Sequence, residues 1–362
     1  MRIAILGTRG IPACYGGFET FAEELSTRLA ERGHEVTVYS RAPHPASHYR
    51  GVRVRYLPPV RHKYFETLAH TFRSTIDLWR NRQDVVLYCN GANAIFTILA
   101  RMAGIPAALN VDGLERKRKK WNTLARGWYL FSEMLSTVCP DEIVTDAEEI
   151  QRYYLDRYGA ASTFISYGAP VGKVPTMDVL RSLGLEPQAY LLYVTRFEPE
   201  NNPLMVREAF EPVETACKLA LIGDAPYAAD YIARVRDTKD PRIVMPGAIY
   251  GQGYHELQSH CLAYVHATEV GGTHPALIEA MGRGAPVLYL MTRENHEVAG
   301  GAGLPFRSKE ELTALMRRVL AMTGAEREAM GRAAQQRVAE RYGWDRVTDA
   351  YESLLQRLSR KQ

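Results

Sequence analysis

The chain has 362 residues, of which 46% are apolar and 24% charged, an ordinary globular composition that excludes a disordered or fibrous protein. The length favours two domains. Net charge is +4, too small to argue for nucleic acid, and no zinc spacing or aromatic RNA-binding run supports that partner.

Strand-like and helix-like segments alternate from the start. Arg2–Gly7 reads as a strand, so no secretory leader is expected ahead of it. Phe18–Arg32 reads as a helix with Phe21, Leu25 and Leu29 on one face, ended by Gly33. Strands follow at Glu35–Ser40, Val52–Leu57, Val85–Asn90, Ala107–Val111, Glu142–Thr145 and Thr163–Ser166. The most apolar stretch, Ala94–Val111, is interrupted by Arg101, Gly104 and Pro106. It is therefore expected to be a core helix, a break and a buried strand, not a membrane span. Periodicity lapses after Tyr167-Gly168-Ala169-Pro170, which predicts a linker near 170–185.

Alternation then resumes. Strands are expected at Tyr190–Thr195, Lys218–Gly223, Arg242–Met245, Leu262–Ala267 and Pro286–Leu290. Helices are expected from Pro203, from Tyr227, near Tyr254–His260 and around Glu279, and the end reads as helical from Lys309 to about Arg360. The pattern predicts an α/β fold of two doubly wound, mainly parallel sheets covered by helices. Such sheets bind ligands at the carboxyl ends of their strands, and two facing sheets would make a cleft.

The five cysteines (Cys14, Cys89, Cys139, Cys217 and Cys261) are odd in number and form no CxxC pair. All but Cys14 lie in or beside apolar runs and read as core residues of a reduced compartment. Residues 1–170 hold 22 Lys+Arg against 17 Asp+Glu, a balance of +5, so the other 192 residues carry −1. The excess base lies in 50-RGVRVRY-56, 61-RHK-63 and 116-RKRKK-120. Nucleic acid, an anionic membrane or a diphosphate would each suit it, the first without any binding signature to support it.

Four loops are candidates for chemistry. In 7-GTRGIPACYGGFETF-21, Gly16 and Gly17 stand directly before a helix, where free N–H groups and the helix dipole favour an anion. Glycine would also permit positive φ there; the plain alternative is a tight turn. The spacing is not G-x-G-x-x-G and no Walker lysine is present, which excludes standard NAD and ATP loops. In 195-TRFEPENNP-203, Arg196 follows a strand and could hold a diphosphate through its forked donors, or could simply pair with Glu198 or Glu200. In 268-TEVGGTHPALIEAMGRGAPVL-288, Gly271 and Gly272 turn the chain. Thr273 could cap the helix, Pro275 suits its first turn, and Glu279 falls on the second turn. Glu279 could accept sugar hydroxyls or merely complement the helix dipole. Glu269 could act on substrate or be a solvated loop acid. In 110-NVDGLERKRKKW-121, Asp112 sits just past a buried strand, and the basic run beyond it is either functional or solvated. No metal-ligand spacing is evident.

Taken together, these blocks resemble the retaining GT-B glycosyltransferases of glycosyltransferase family 4. GTRGIPACYGGFETFAEEL, NVDGLERKRKKW, ISYGA and EVGGTHPALIEAMG look like its bacterial rhamnosyltransferase branch. The likeness spans nearly the whole chain, including 341-RYGWDRVTDAYESLL-355. It implies two Rossmann-like domains, at 1–170 and 171–345, with a helix at 346–362 crossing back to the first. It also implies transfer of a sugar, L-rhamnose from dTDP-rhamnose, onto a lipid-diphosphate-linked GlcNAc-type acceptor, with no cofactor and no metal. The protein would then be cytoplasmic and peripheral at the inner membrane face, held through Arg116–Lys120. The resemblance places the ribose-binding carboxylate on Glu279, the diphosphate arginine on Arg196, the phosphate-approaching backbone on Gly16 and Gly17, and the base pocket around Pro246-Gly247-Ala248. Asp112 and Glu269 would act beside Arg196 in catalysis, and Gly271, Gly272 and Thr273 would line the donor.

Two positions depart from the wider family. Its first motif glutamate falls on Gly271, with Glu269 the nearest acid, and its lysine falls on Asn201. Arg9 or a base from 116–120 could replace the lysine. A UDP- or GDP-sugar donor, a sugar-nucleotide epimerase and a non-catalytic nucleotide-sugar binder remain as alternatives.

Overall fold

A computed structural model describes residues 1–13, 16–60, 65–118, 121–225 and 228–360. The chain forms two compact units. The first comprises Met1–Lys117, Trp121–Tyr167 and the segment from Trp344 onward; the second comprises Gly168–Gly343 together with Arg118.

The first unit runs β1 (Arg2–Leu6), α1 (Gly17–Glu31), β2 (Glu35–Ser40), β3 (His48–Tyr49), β4 (Val52–Tyr56), α2 (Glu66–Leu78), β5 (Val85–Cys89), α3 (Ala94–Met102), β6 (Ala107–Asn110), α4 (Thr123–Ser136), β7 (Glu142–Thr145), α5 (Glu148–Tyr158) and β8 (Thr163–Phe164). Its sheet has the order β3-β4-β2-β1-β5-β6-β7-β8. All neighbours are parallel except the short β3–β4 pair. β1 and β5 lie at its centre, and their Ile3, Ala4, Ile5, Leu6 and Val85–Cys89 are fully buried, as strands covered on both faces require.

The second unit runs α6 (Asp178–Ser182), β9 (Tyr190–Val194), α7 (Pro203–Phe210), β10 (Lys218–Ile222), α8 (Ala229–Arg236), β11 (Ile243–Gly247), α9 (Gly251–His260), β12 (Ala263–His266), α10 (Pro275–Gly282), β13 (Val287–Leu290), α11 (Arg293–Ala299), β14 (Leu304–Phe306), α12 (Lys309–Ala321) and α13 (Gly324–Arg341). Its all-parallel sheet has the order β11-β10-β9-β12-β13-β14. Leu191, Tyr193, Leu219, Leu221, Val265 and Leu288 form one core with Phe197, Phe210 and Phe306. Both units are Rossmann-like α/β domains.

The last helix, α14 (Trp344–Ser359), belongs to the first unit. Tyr351 packs on Phe21 with ring centroids 5.2 Å apart, and Glu352 pairs with Arg32 at 2.7 Å and His34 at 2.8 Å.

Three expectations need correction. The linker stretch 170–185 contains α6, whose Val179 N–H donates to Glu256 at 2.8 Å, so it is part of the second unit. The helical end is three helices, because Thr323 and Glu326 form a reciprocal cap that starts α13 afresh, and α13 ends at Arg341. The expected core helix at the start of Ala94–Val111 is α3, but it buries only Ala94, Thr97 and Ala100 and exposes Ile95, Ile98 and Met102. The four cysteines other than Cys14 are buried, while Cys14, 61-RHK-63 and Tyr227 lie outside the described residues.

Candidate functional site

In the second unit the chain leaves β9 outward to β10 and β11, then returns to β12 on the other side of β9. That reversal is where open α/β sheets bind ligands, beyond the carboxyl ends of the strands. The loop after β9 carries Arg196; the loop after β12 carries Glu269, Gly271, Gly272 and Thr273. Hydrogen bonds lace the two together. Glu269 N–H donates to Glu200 O at 2.9 Å, and Asn202 Nδ2 donates to Ala267 O and to Glu269 Oε1, each at 3.0 Å. Beneath them the Tyr193 hydroxyl meets Thr268 Oγ1 at 3.1 Å and donates to Asn201 O.

The Arg196 guanidinium lies 3.6 Å from Glu198 and is one-third exposed, so the ion pair weighed from the sequence forms. Asn201 is buried, and its Nδ2 donates to Arg196 O at 2.8 Å, fixing the backbone that presents the arginine. Gly223, at the end of β10, escaped the sequence reading. It has φ +153°, and a Cβ there would lie 1.7 Å from Thr195 O, so only glycine lets the β10 loop approach the Arg196 loop. Its N–H donates to Gly247 O at 2.9 Å; Gly247 ends β11 with open space above its Cα.

Pro275 lies in the first turn of helix α10, as the sequence predicts, but the helix begins at Pro275 with His274 as its cap, not Thr273. The cause is local: a residue before proline is pushed out of the helical region, so position 274 must be the last extended one. Glu279 falls on the second turn and is buried. It accepts a hydrogen bond from the Tyr254 hydroxyl of α9, which in turn accepts from Gln258 at 2.7 Å. Burial and the Glu279 charge hold the Tyr254 phenol well above its usual range. Tyr254 has no sequence signal, because it faces Glu279 from another helix.

Gly271 is not a positive-φ glycine. Its constraint is contact: a Cβ would lie 2.4 Å from His274 Cε1. That ring lies 4.7 Å from the ring of His266, which is flanked by Tyr264 and Tyr193. Burial, with the charge of Arg118, holds His274 down to about 3; burial and His274 hold His266 well below the ordinary range.

In the first unit the sheet order reverses at β1 and β5. The glycines that the β1 loop requires are Gly7 and Gly10, with φ +92° and +105°. A Cβ on Gly7 would lie 2.2 Å from Cys89 O. Gly16 is extended and Gly17 opens the helix, so positive φ is not what either supplies. The loop is held from α1: Arg9 N–H donates to the buried Glu19 at 2.8 Å, and Ala13 N–H to Glu23 at 2.6 Å. Burial raises the Glu19 carboxyl.

Asp112 lies two residues past β6 with φ +56°. Such backbone is uncommon outside glycine and gathers at functional sites. Its N–H donates to Asn110 Oδ1 at 3.0 Å, and Asn110 Nδ2 donates to Tyr351 OH at 2.8 Å. Asn90, ending β5, also has positive φ, +74°. The charges of Glu19 and Asp112 both act on the buried Cys89 thiol and, after burial, help to raise it. The carboxyl end of β5 thus has both acids around it.

The run 116–120 is not a uniform solvated stripe. Arg116 pairs with Glu133 at 2.9 Å and donates to Tyr153 OH at 2.9 Å. Arg118 is buried, Lys117 is exposed, and Lys119 and Lys120 lie outside the described residues. Among the described residues no group of His, Cys, Asp or Glu is placed to hold a metal, and no helix is long and apolar enough to cross a membrane.

This fold is that of the GT-B glycosyltransferases. A sucrose-phosphate synthase from Thermosynechococcus elongatus matches with TM-score 0.79 at 19% identity, over 100% of both chains. Anabaena HepE in complex with UDP and glucose matches with TM-score 0.79 at 15% identity, over 99% of this chain and 100% of that one. WaaG, described as a glycosyltransferase involved in lipopolysaccharide biosynthesis, matches with TM-score 0.70 at 16% identity, over 96% and 99%. Residues 203–353 match a family model described as "Glycosyl transferase-like", and residues 1–170 one described as "Domain of unknown function (DUF1972)". With the fold, these matches support a GT-B glycosyltransferase.

Proposed function

We propose that this protein is a retaining glycosyltransferase that moves L-rhamnose from dTDP-rhamnose onto a lipid-diphosphate-linked, GlcNAc-type saccharide in cell-surface polysaccharide synthesis. It works without a metal, at the cytoplasmic face of the membrane. The observation that carries the transferase reading is the pair of laced loops at the reversal point of the second sheet, with Arg196 on one and the Gly271-Gly272 entry to α10 on the other. The rhamnosyl reading rests on the resemblance of the motif blocks.

The second unit holds the donor. Arg196 and the amides entering α10 take the charge that develops on the leaving β-phosphate. Glu279, buried on the second turn of α10 and met by the Tyr254 hydroxyl, accepts a sugar hydroxyl of the nucleoside. Gly247 leaves room for the base. Glu269, held by Asn202, stands in for the carboxylate absent at Gly271. In the first unit, the resemblance assigns Asp112 to the acceptor hydroxyl and Gly16 and Gly17 to a phosphate. The acceptor oxygen bonds to the anomeric carbon on the face that the phosphate leaves, and the phosphate takes the acceptor's proton.

A thermal-shift panel with dTDP, UDP, GDP and their sugars, in EDTA, tests this. Ligand at 100 Kd adds about 2.7 kcal/mol, a clear rise in Tm. A rise with dTDP-rhamnose beyond that with dTDP supports the reading. Arg196→Ala is expected to lower kcat about a hundredfold or more; normal turnover would remove Arg196 from the mechanism. A UDP-sugar donor is the second reading, favoured by the HepE neighbours in complex with UDP and UDP-glucose. A shift confined to UDP-sugars would select it.

A further inference from the structure

Three successive helices of the first unit have inverted amphipathicity. On α2 the buried side chains are His70, Thr71, Ser74, Thr75 and Leu78. The exposed ones include Phe72 and Ile76, with Phe65 just before the helix and Trp79 just after it. On α3 the buried set is Ala94, Thr97 and Ala100, while Ile95, Ile98 and Met102 face solvent. On α4 Ser132, Glu133 and Ser136 point inward, and Leu124, Leu130, Phe131 and Met134 point outward, followed by Val138. Spacings of three, four and seven residues put each exposed set on one helix face. A helix of a water-soluble surface has the opposite arrangement.

The three faces form one surface. The β4–β5, β5–β6 and β6–β7 connections step the same way across the sheet, and right-handed crossovers then place α2, α3 and α4 on one side of it. Phe72 and Phe96 rings lie 6.0 Å apart, Trp79 Nε1 donates to Leu99 O at 3.2 Å, and Arg101 Nη1 donates to Cys139 O at 2.8 Å. Scattered apolar residues are normal on a surface; a continuous apolar face marks an interaction site.

Charge identifies the occupant. Among the described residues from 65 to 138, every exposed charged side chain is basic: Arg73, Arg80, Arg82, Arg101, Lys117 and Arg126. Of the six acids of this stretch, Glu66 pairs with Arg41 at 3.5 Å, Asp77 with Arg55 at 2.8 Å, Asp84 with Arg2 at 2.8 Å and Glu133 with Arg116 at 2.9 Å, while Asp112 and Glu115 are half-buried. A second copy laid on the same face would set arginine against arginine, since the exposed acid beside them, Asp141, is already paired with Arg101 at 2.9 Å. Apolar side chains with tryptophan among them and arginine around them suit the boundary of an anionic bilayer, where the chains enter the acyl region and guanidinium groups reach phosphate.

We infer that the outward faces of α2, α3 and α4 are a docking surface for an anionic lipid bilayer, into which Phe72, Ile76, Ile98, Met102, Leu124 and Met134 insert. Arg116 and Arg118 of the basic run play no part in it. The inference does not rest on sugar transfer, and its test contains neither donor nor acceptor.

The test is co-sedimentation of the full chain with vesicles of phosphatidylcholine alone and of phosphatidylcholine mixed with phosphatidylglycerol. Wild type is expected to bind the mixed vesicles about tenfold more strongly, and less so as salt rises. A triple variant, Met102→Gln, Leu124→Gln and Met134→Gln, is expected to lose about tenfold or more of that binding. Its Tm and its nucleotide-induced shifts should be unchanged, since the three side chains are exposed at 72%, 84% and 53%. Wild type that ignores both vesicles, or a triple variant that binds as wild type does, overturns the inference. A wild-type dimer that the triple variant converts to monomers also overturns it, by showing that a second copy covers the face. Loss of donor shifts with vesicle binding intact would instead strike the transferase reading alone.

Discussion

Gly271 and Asn201 stand where the resemblance drawn from the sequence would put a glutamate and a lysine, and each is committed to local structure. The His274 ring fills the space a Cβ at Gly271 would need, and the Asn201 amide holds the carbonyl of Arg196. Restoring the glutamate alone should therefore fail for a packing reason. Gly271→Glu forces the buried His274 ring aside and is expected to cost about 1–3 kcal/mol, as overpacking does. Combined with His274→Ala, which vacates the space, it should cost clearly less than the sum of the two single changes. Urea denaturation of the four proteins measures this, and strict additivity would disprove the contact. The places of Arg196 just past β9 and of Glu279 on the second turn of α10 were legible in the sequence because each sits at a fixed offset from a strand end or a helix start. Tyr254 and Gly223 were not, since their meaning lies in Glu279 and Thr195, groups on other elements.

At the level of elements, strands were the easiest to read. β2 and β7 fall at the expected bounds, because short apolar runs bracketed by polar turns leave little choice. Helices α2 to α4 show the limit of periodicity: it finds a helix face but does not say which way that face points. α14 shows another limit, since its Tyr351 meets Asn110 across 241 residues of chain. Tyr351→Phe tests what that link does. Removing the hydroxyl leaves Asn110 Nδ2–H buried without its acceptor, which should cost about 1–3 kcal/mol. Asn110 also holds the strained Asp112 backbone through Oδ1, so kcat should fall while the KM for donor stays put. A variant that is destabilised but turns over normally would reduce α14 to packing.

Across the whole molecule, three buried histidines link folding to pH. His70 in the first unit is held at about 4, by burial and then by the charge of Arg41. His274 in the second is held at about 3, and its neighbour His266 is likewise depressed. Unfolded, each titrates near 6.5. Between about pH 6.5 and 4 the unfolded chain therefore binds protons that the folded chain refuses, and stability falls as pH falls. Above 6.5 both states hold the rings neutral and the contribution is fully present. Each histidine adds a slope of about 1.4 kcal/mol per pH unit once the unfolded form is charged. Glu19 works the other way, since its raised carboxyl favours folding at low pH and loses that contribution as pH rises. One carboxyl does not offset three imidazoles. Denaturation midpoints should thus be highest near neutrality and drop from pH 6.5 to 5. His70→Gln should flatten the slope reported by the first unit, and His274→Gln that reported by the second. Stability that stays level from pH 7 to 5 would mean that these rings are charged, or solvated, in the folded protein.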